Sequence, residues 1–253
     1  MSLPPSAPDP ALPPGDAPAP IPARQSPALR GALRAAFGLA AFTAAFTALM
    51  AFTHEITRER IRAAVAEQQM RLIDEILPRA HYDNALLADM IDADGGSGGA
   101  VGRIWRARRG GEPVALVFET FASDGYGGRI ELIAALDIRG EGQSQVRGVR
   151  VSAHRETPGL GDYIDPAKDR DKEHPWIAQF SGVDAGLPIA RWAVRKDGGD
   201  FDYRTGATVS ARAVTRALGH GLAWVNARKD ALFAAPAGAR PGADGQTVEP
   251  VSQ

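Results

Sequence analysis

The sequence predicts an α+β protein: a single transmembrane helix followed by a domain with a mainly antiparallel sheet and segregated helices. Two observations carry this prediction. An uncharged apolar stretch of 19 residues lies at 35–53 of the 253-residue chain. Beyond it, several strand-like segments separated by short connections precede one long helical pattern that begins near Thr208. Because short connections join antiparallel strands, whereas parallel strands need long crossovers, the strands are expected to pair with their neighbours in sequence.

The N-terminal part of the chain divides into a tail and an anchor. Residues 1–31 are rich in proline and alanine and poor in large apolar groups, so we expect a disordered tail. Residues 32–53 are predicted to be the transmembrane anchor, since 19 residues at about 1.5 Å each just span a hydrocarbon core of about 30 Å. The alternatives are a cleaved signal peptide and a buried soluble helix. The long leader and the lack of a small-x-small cleavage site favour the anchor.

Charge does not orient this anchor. Arginines flank both ends of its uncharged stretch, 35–53, with three before the stretch and three after it, so the positive-inside rule favours neither orientation. They are Arg24, Arg30, Arg34, Arg58, Arg60 and Arg62.

The rest of the chain is predicted to form a connector, a domain and a second tail. Residues 54–99 are interpreted as a helical connector, because apolar side chains recur at helical spacing until Pro78. It either packs on the domain or forms an exposed stalk. The domain is placed at 100–231, with its helix after Thr208, and a disordered tail at 232–253. The predicted strands cover 101–107, 113–118, 130–138, 146–152 and 191–195.

Composition excludes several classes of function. A net charge of −1 gives no electrostatic footprint for nucleic acid. The absence of cysteine removes iron–sulfur clusters, thiolate chemistry and disulfides. The five histidines show no metal-ligand spacing, so no metal is assigned. The alternating charges at 168–173 are interpreted as a solvated surface. Because the chain has no cysteine and no metal is assigned, a redox function would need an organic cofactor.

The segment 202–210, DYRTGATVS, contains the strongest functional signal. Gly206 allows a tight turn, and Thr208 stands where a helical pattern begins. The first turn of a helix offers unpaired N–H groups and the positive end of a dipole, so an anion is stabilised there. Read alone, Thr208 could equally be an N-cap that serves only the helix.

Three segments together resemble a known family. The segment around Thr208 is similar to the flavinylation motif Asp-x-x-(Ser/Thr)-Gly-Ala-Thr of the FMN-binding domain family. The segments 154–162, HRETPGLGD, and 125–128, GYGG, precede it in the same order and at similar spacing. Over about residues 55–228 the set resembles the family of G subunits of Rnf ion-translocating electron transport complexes, which is related to the C subunits of sodium-pumping NADH:quinone reductases.

The resemblance implies that FMN is bound covalently, as a phosphoester of Thr208. It further implies that Gly206 and Ala207 let the phosphate approach closely and that Thr205 donates a hydrogen bond to it. Asp202 would be read by the separate flavin transferase that attaches the cofactor during maturation. As a structural alternative, Asp202 only shapes the turn.

The resemblance also suggests how the flavin ring is held. The loop at 156–161 would form one wall of the slot, with Leu160 against the ring, Glu156 and Thr157 near its polar edge, and Gly161 in the same wall. Tyr126 would stack on the ring. Without the resemblance, the loop is an ordinary turn and the tyrosine an ordinary packing residue.

Lys196 completes the expected site, near the electron-rich edge of the flavin or its phosphate, although a solvated turn lysine is the alternative. The function implied is that of a single-pass subunit of the bacterial inner membrane with its FMN domain on the periplasmic side. It would exchange electrons with other subunits of a membrane complex that couples electron transfer between NADH and ferredoxin to ion translocation. The alternative is a non-redox extracytoplasmic binding or sensory domain that reuses the fold.

Overall fold

A computed structural model of the chain describes residues 27–93, 101–139, 143–241 and 248–249. Most of the expected N-terminal tail, the glycine-rich connection after Ala93 and most of the segment after Pro241 lie outside the described residues. The chain divides into two compact units, Met1–Ile61 and Arg62–Gln253.

Helix α1, Pro27–Ile76, provides the described part of the first unit. Its large apolar side chains, among them Phe37, Phe42 and Phe46, are exposed over the span of that unit. By length and composition the helix can cross a membrane. A helix that is apolar all round and has no protein packed on it is the kind that a bilayer covers. α1 therefore has the properties of a membrane anchor.

The second unit is built on one five-stranded sheet. Its strands occur in sequence order and every neighbouring pair is antiparallel, as predicted. They are β1, Met90–Asp92; β2, Val101–Arg109; β3, Glu112–Gly125; β4, Gly128–Ile138; and β5, Ser144–Ala153. Helix α2, Thr208–Ala234, follows the sheet in the chain. The architecture is α+β, as the sequence predicts.

Both faces of the sheet are covered. Helix α2 and the loops that precede it pack on one face, and Phe118, Leu132, Leu218 and Leu222 are fully buried between them. This packing places the start of α2 beside the connection between β3 and β4. The core between α2 and the sheet therefore supports the segments that contain the sequence motifs.

The end of α1 covers the other face. Ile73 and Ile76 pack with Trp105, Val117 and Ile133 in a second buried cluster. Further towards the N-terminus, Val65 is exposed. The last helical turns of the predicted connector thus pack on the domain.

Three regions differ from the sequence-based expectation. The segment 191–195, predicted as a strand, connects two short 3₁₀ turns, Ile189–Arg191 and Arg195–Asp197, and makes a single bridge between Val194 and Phe201. Trp192 and Val194 are both buried, so the alternation that indicated a strand is real, but local turns satisfy the backbone. The segment predicted as a helical connector contains strand β1, which joins the sheet.

The third difference lies at the C-terminal end, where a tail was expected from residue 232. α2 continues to Ala234 with Leu232 buried, and β6, Arg240–Pro241, pairs with β7, Val248–Glu249. Residues 242–247 and 250–253 of that tail lie outside the part of the chain that the structure describes.

Candidate functional site

A slot lies where three connections meet beside the start of α2. The connections are the Tyr126–Gly127 turn between β3 and β4, the loop after β5, and the segment 202–207 that leads into α2. The slot encloses about 210 Å³. Its lining consists of Tyr126, Glu156, Thr157, Leu160, Gly161, Gly206, Ala207, Val209 and Ser210.

The rim of the slot is apolar and exposed. Tyr126 is 74% exposed, Leu160 is 56% exposed and Val209 is 42% exposed. Side chains of this size are usually buried when they have a partner within the fold. Three of them around one concavity indicate a site that receives an apolar group.

Helix α2 begins at Thr208 without a side-chain cap. Its N-cap residue is Ala207, which makes no capping hydrogen bond through its side chain. The interpretation of Thr208 as the N-cap is therefore wrong, and the first-turn N–H groups are left for another acceptor. Gly206 has φ +89°, a left-handed conformation that favours glycine, so the chain turns into the helix directly before the threonine.

Glu156 ties the three connections together beneath the slot. Its side chain is buried, and it accepts hydrogen bonds from the backbone N–H of Gly127 at 2.9 Å and from the hydroxyl of Ser210. Gly161 lies against this contact, because a Cβ on it would come within 2.5 Å of Ser210 Oγ and 2.6 Å of Glu156 Oε2. The loop, the β-turn and the first turn of α2 thus meet at one carboxyl group.

Tyr163 and Arg204 support the segment before Thr208 from the other side. The Tyr163 hydroxyl donates to the carbonyl of Ala207 and accepts from the N–H of Arg204, each at 3.3 Å. Burial raises the pKa of Tyr163 to about 12, so the phenol stays protonated at neutral pH and keeps its donor. The Arg204 guanidinium carbon lies 4.7 Å from the centre of the Tyr163 ring.

Asp169 in turn holds Arg204. Its buried carboxylate forms an ion pair with Arg204 and accepts hydrogen bonds from the N–H groups of Trp176 at 2.7 Å and Asp171 at 3.0 Å. Burial opposes ionisation, but these hydrogen bonds and the arginine outweigh it, so the pKa of Asp169 is lowered. The interpretation of 168–173 as a solvated surface is therefore wrong at this position.

We expect Asp169→Asn to destabilise the protein by about 1–3 kcal/mol at neutral pH, since it weakens charge-assisted hydrogen bonds in a buried place. A group whose pKa is lower in the folded state stabilises the fold above its unfolded pKa of about 3.9 and loses that contribution as the pH falls. The difference between wild type and variant should thus persist from pH 7 to pH 5 and shrink below about pH 4.

Urea denaturation of the two proteins at several pH values measures this difference. Glu173→Gln is the matched control, because Glu173 is exposed in the same charged run and should change stability by no more than about 0.5 kcal/mol. A difference that stays constant from pH 7 to pH 3 would contradict the role given to the Asp169 charge.

Four residues that were expected at the site are not among those that line the slot. Thr208, the expected attachment point, lies between the lining residues Ala207 and Val209. Thr205 lines a neighbouring cavity of about 180 Å³, together with Lys168 and Arg170. Lys196 lies in an exposed 3₁₀ turn and lines neither cavity.

Asp202 is the fourth of these residues. It is exposed, forms an ion pair with Arg195 at 3.0 Å, and lines a separate cavity of about 520 Å³ beside Trp176.

Conversely, Val209 and Ser210 line the slot and were not expected there. Their position directly after Thr208, on the first turn of the predicted helix, is the signal that could have identified them.

The anchor helix and the site domain each match a family model. Residues 29–76 match the RnfG N-terminal region, and residues 125–223 match the FMN-binding domain. Two similar proteins are each named as the G subunit of an ion-translocating oxidoreductase complex. The protein of Shewanella loihica is 42% identical over 192 residues, covering 74% of this chain and 86% of its own length. That of Yersinia pestis is 43% identical over 171 residues, covering 66% of this chain and 78% of its own length.

Proposed function

The chain belongs to the family of G subunits of ion-translocating oxidoreductase complexes, and from this premise we propose that it carries electrons through FMN bound covalently to Thr208. The family makes it a flavoprotein subunit of such a complex. The observation that carries the finer proposal is the slot beside Thr208, because it combines an apolar rim with a helix start that lacks a side-chain cap.

The residues of the slot suit the two ends of FMN. Tyr126, Leu160 and Val209 present apolar surface to a flat ring, whereas the N–H groups at the start of α2 suit a phosphate. Gly206 and Ala207 carry no bulky side chain that would keep a phosphate from the backbone. The bound cofactor supplies reversible electron transfer, and the protein supplies its position and surroundings.

A covalent bond compensates for the small size of the slot. Pockets that enclose a small molecule usually measure about 300–1,000 Å³, and this slot encloses about 210 Å³. It therefore covers only part of an FMN molecule, and contacts alone would hold the cofactor weakly. An ester at Thr208, which lies half-buried at the first position of α2, removes dissociation altogether.

Attachment requires phosphoryl transfer from FAD to the threonine hydroxyl. The new bond joins Thr208 Oγ to the phosphorus of the FMN moiety, the bond between that phosphorus and the bridging oxygen breaks, and AMP leaves. We assign this reaction to a separate flavin transferase, which would recognise the exposed Asp202. Asp202 lies outside the slot, so the enzyme can contact it while the ring occupies its own place.

We place the anchor in the bacterial inner membrane and the FMN domain on its periplasmic side. The partners are other subunits of the complex, which would couple electron transfer on the NADH and ferredoxin side to ion translocation. The exposed rim of the slot supports such an exchange, because a ring held there stays close to the protein surface.

The mass of the purified chain tests this function. After coexpression with a flavin transferase, we expect the mass to increase by one FMN moiety, with the yellow protein in the membrane fraction. The same chain expressed without a transferase is the control and should keep its unmodified mass. A chain that stays unmodified in the presence of an active transferase would favour a non-redox binding domain.

A further inference from the structure

We propose that Glu156 is a positioning residue that places a fixed negative charge beside the flavin and thereby lowers its reduction potential. This inference rests on the proposed function, because it concerns the same slot. It adds a role for a carboxyl group that neither attaches the cofactor nor stacks on it.

The hydrogen bonds of Glu156 point to the ionised form. One oxygen accepts from the Gly127 N–H at 2.9 Å and the other accepts from the Ser210 hydroxyl. A carboxylate accepts at both oxygens, whereas a neutral carboxylic acid must use one of them as a donor. The Gly127 N–H can only donate and the Ser210 hydroxyl is able to donate, so both oxygens of a Glu156 carboxylate have a donor available, in a residue that is 4% exposed.

Glu156 has no ion-pair partner in the part of the chain that the structure describes. Among the residues that the structure describes, no arginine or lysine forms an ion pair with Glu156. A buried anion without a counterion is costly, so something else must stabilise it. Its hydrogen bond to Ser210 places it at the first turn of α2, where the positive end of the helix dipole favours a negative group.

The chain leaves room for the carboxyl group at the floor of the slot. A Cβ on Gly161 would approach Glu156 Oε2 to 2.6 Å, and a Cβ on Gly125 would approach Oε1 to 2.7 Å. Real Cβ atoms essentially never come this close to another heavy atom. Glycines at both positions therefore allow the charge to lie where it does.

Glu156 is also one of the residues that line the slot, so its side chain lies close to whatever is bound there. Adding electrons to a flavin increases the negative charge of the ring. Like charges repel more strongly in a poorly solvated place than in water, so the carboxylate disfavours the reduced forms. A neutral side chain of the same length could form hydrogen bonds with the same two turns without lowering the reduction potential of the flavin.

Redox titration of the full-length flavinylated chain tests the inference. Glu156→Gln keeps the length and removes the charge, and we expect its midpoint potential to shift to a more positive value. Ser210→Ala is the matched control, because it removes one hydrogen bond and keeps the charge. We expect its potential not to rise.

The outcomes separate this inference from the proposed function. If wild type gains no FMN mass, the proposed function fails. The electrostatic role is wrong if wild type and Glu156→Gln both carry FMN and have equal midpoint potentials. It is also wrong if Ser210→Ala raises the midpoint potential as much as Glu156→Gln does. Glu156→Met is a second neutral variant in case the glutamine variant does not fold. Loss of FMN from both neutral variants, with retention in Glu156→Asp, would show that the charge serves attachment and would overturn the tuning role.

Discussion

Replacing Thr208 with valine is expected to abolish covalent flavin while leaving the domain folded. Valine keeps the branched shape of threonine but has no hydroxyl to form the ester. The N-cap residue is Ala207, which the substitution leaves in place, so α2 should keep its start. Flavin fluorescence of the denatured protein on a gel should fall to background, and the mass should equal that of the bare chain.

Thr205→Val is the matched control for this prediction. Thr205 is an exposed threonine of the same motif, three residues earlier, and it lines the neighbouring cavity. We expect this variant to keep most of its covalent flavin. Fluorescence that persists in Thr208→Val and vanishes in Thr205→Val would move the attachment point to Thr205.

The parts of the site that lie within short sequence motifs could be predicted. The segment DYRTGATVS predicted a turn and a helix start, and α2 begins at Thr208. The loop 156–161 and Tyr126 were expected to form one slot with this start, and they line one cavity with it. Such motifs can be recognised because each is local and the three occur in a characteristic order.

Contacts between distant segments could not be predicted in the same way. Asp169 lies within a run of charges that looks solvated, and its burial depends on Arg204, 35 residues further along the chain. Likewise, the buried alternation of Trp192 and Val194 is the same in a strand and in the turns that these residues form. Charge and periodicity describe a residue, whereas burial depends on what packs against it.

Arg106 is the strongest example of a residue whose burial depends on contacts with distant segments. Replacing it with methionine is expected to lower the free energy of unfolding by about 3–5 kcal/mol, as for other broken buried ion pairs. The side chain is 3% exposed although it lies in strand β2 between alanine and tryptophan. It forms an ion pair with Asp89 and donates hydrogen bonds to the carbonyls of Leu232 and Ala235. The arginine therefore joins the sheet to the end of α2.

Methionine preserves much of the apolar length of Arg106 but leaves the last carbonyls of α2 without this donor. Asp89 keeps its ion pair with Arg108, so the predicted loss arises from the carbonyls as well as from the missing charge. Arg109→Met, at the exposed end of the same strand, should change stability by no more than about 0.5 kcal/mol. Urea denaturation followed by tryptophan fluorescence measures both variants. Equal urea midpoints for wild type and Arg106→Met would mean that α2 is held by its apolar face alone. A large loss in Arg106→Met would show that the helix whose first residue is Thr208 depends on a charge near its opposite end.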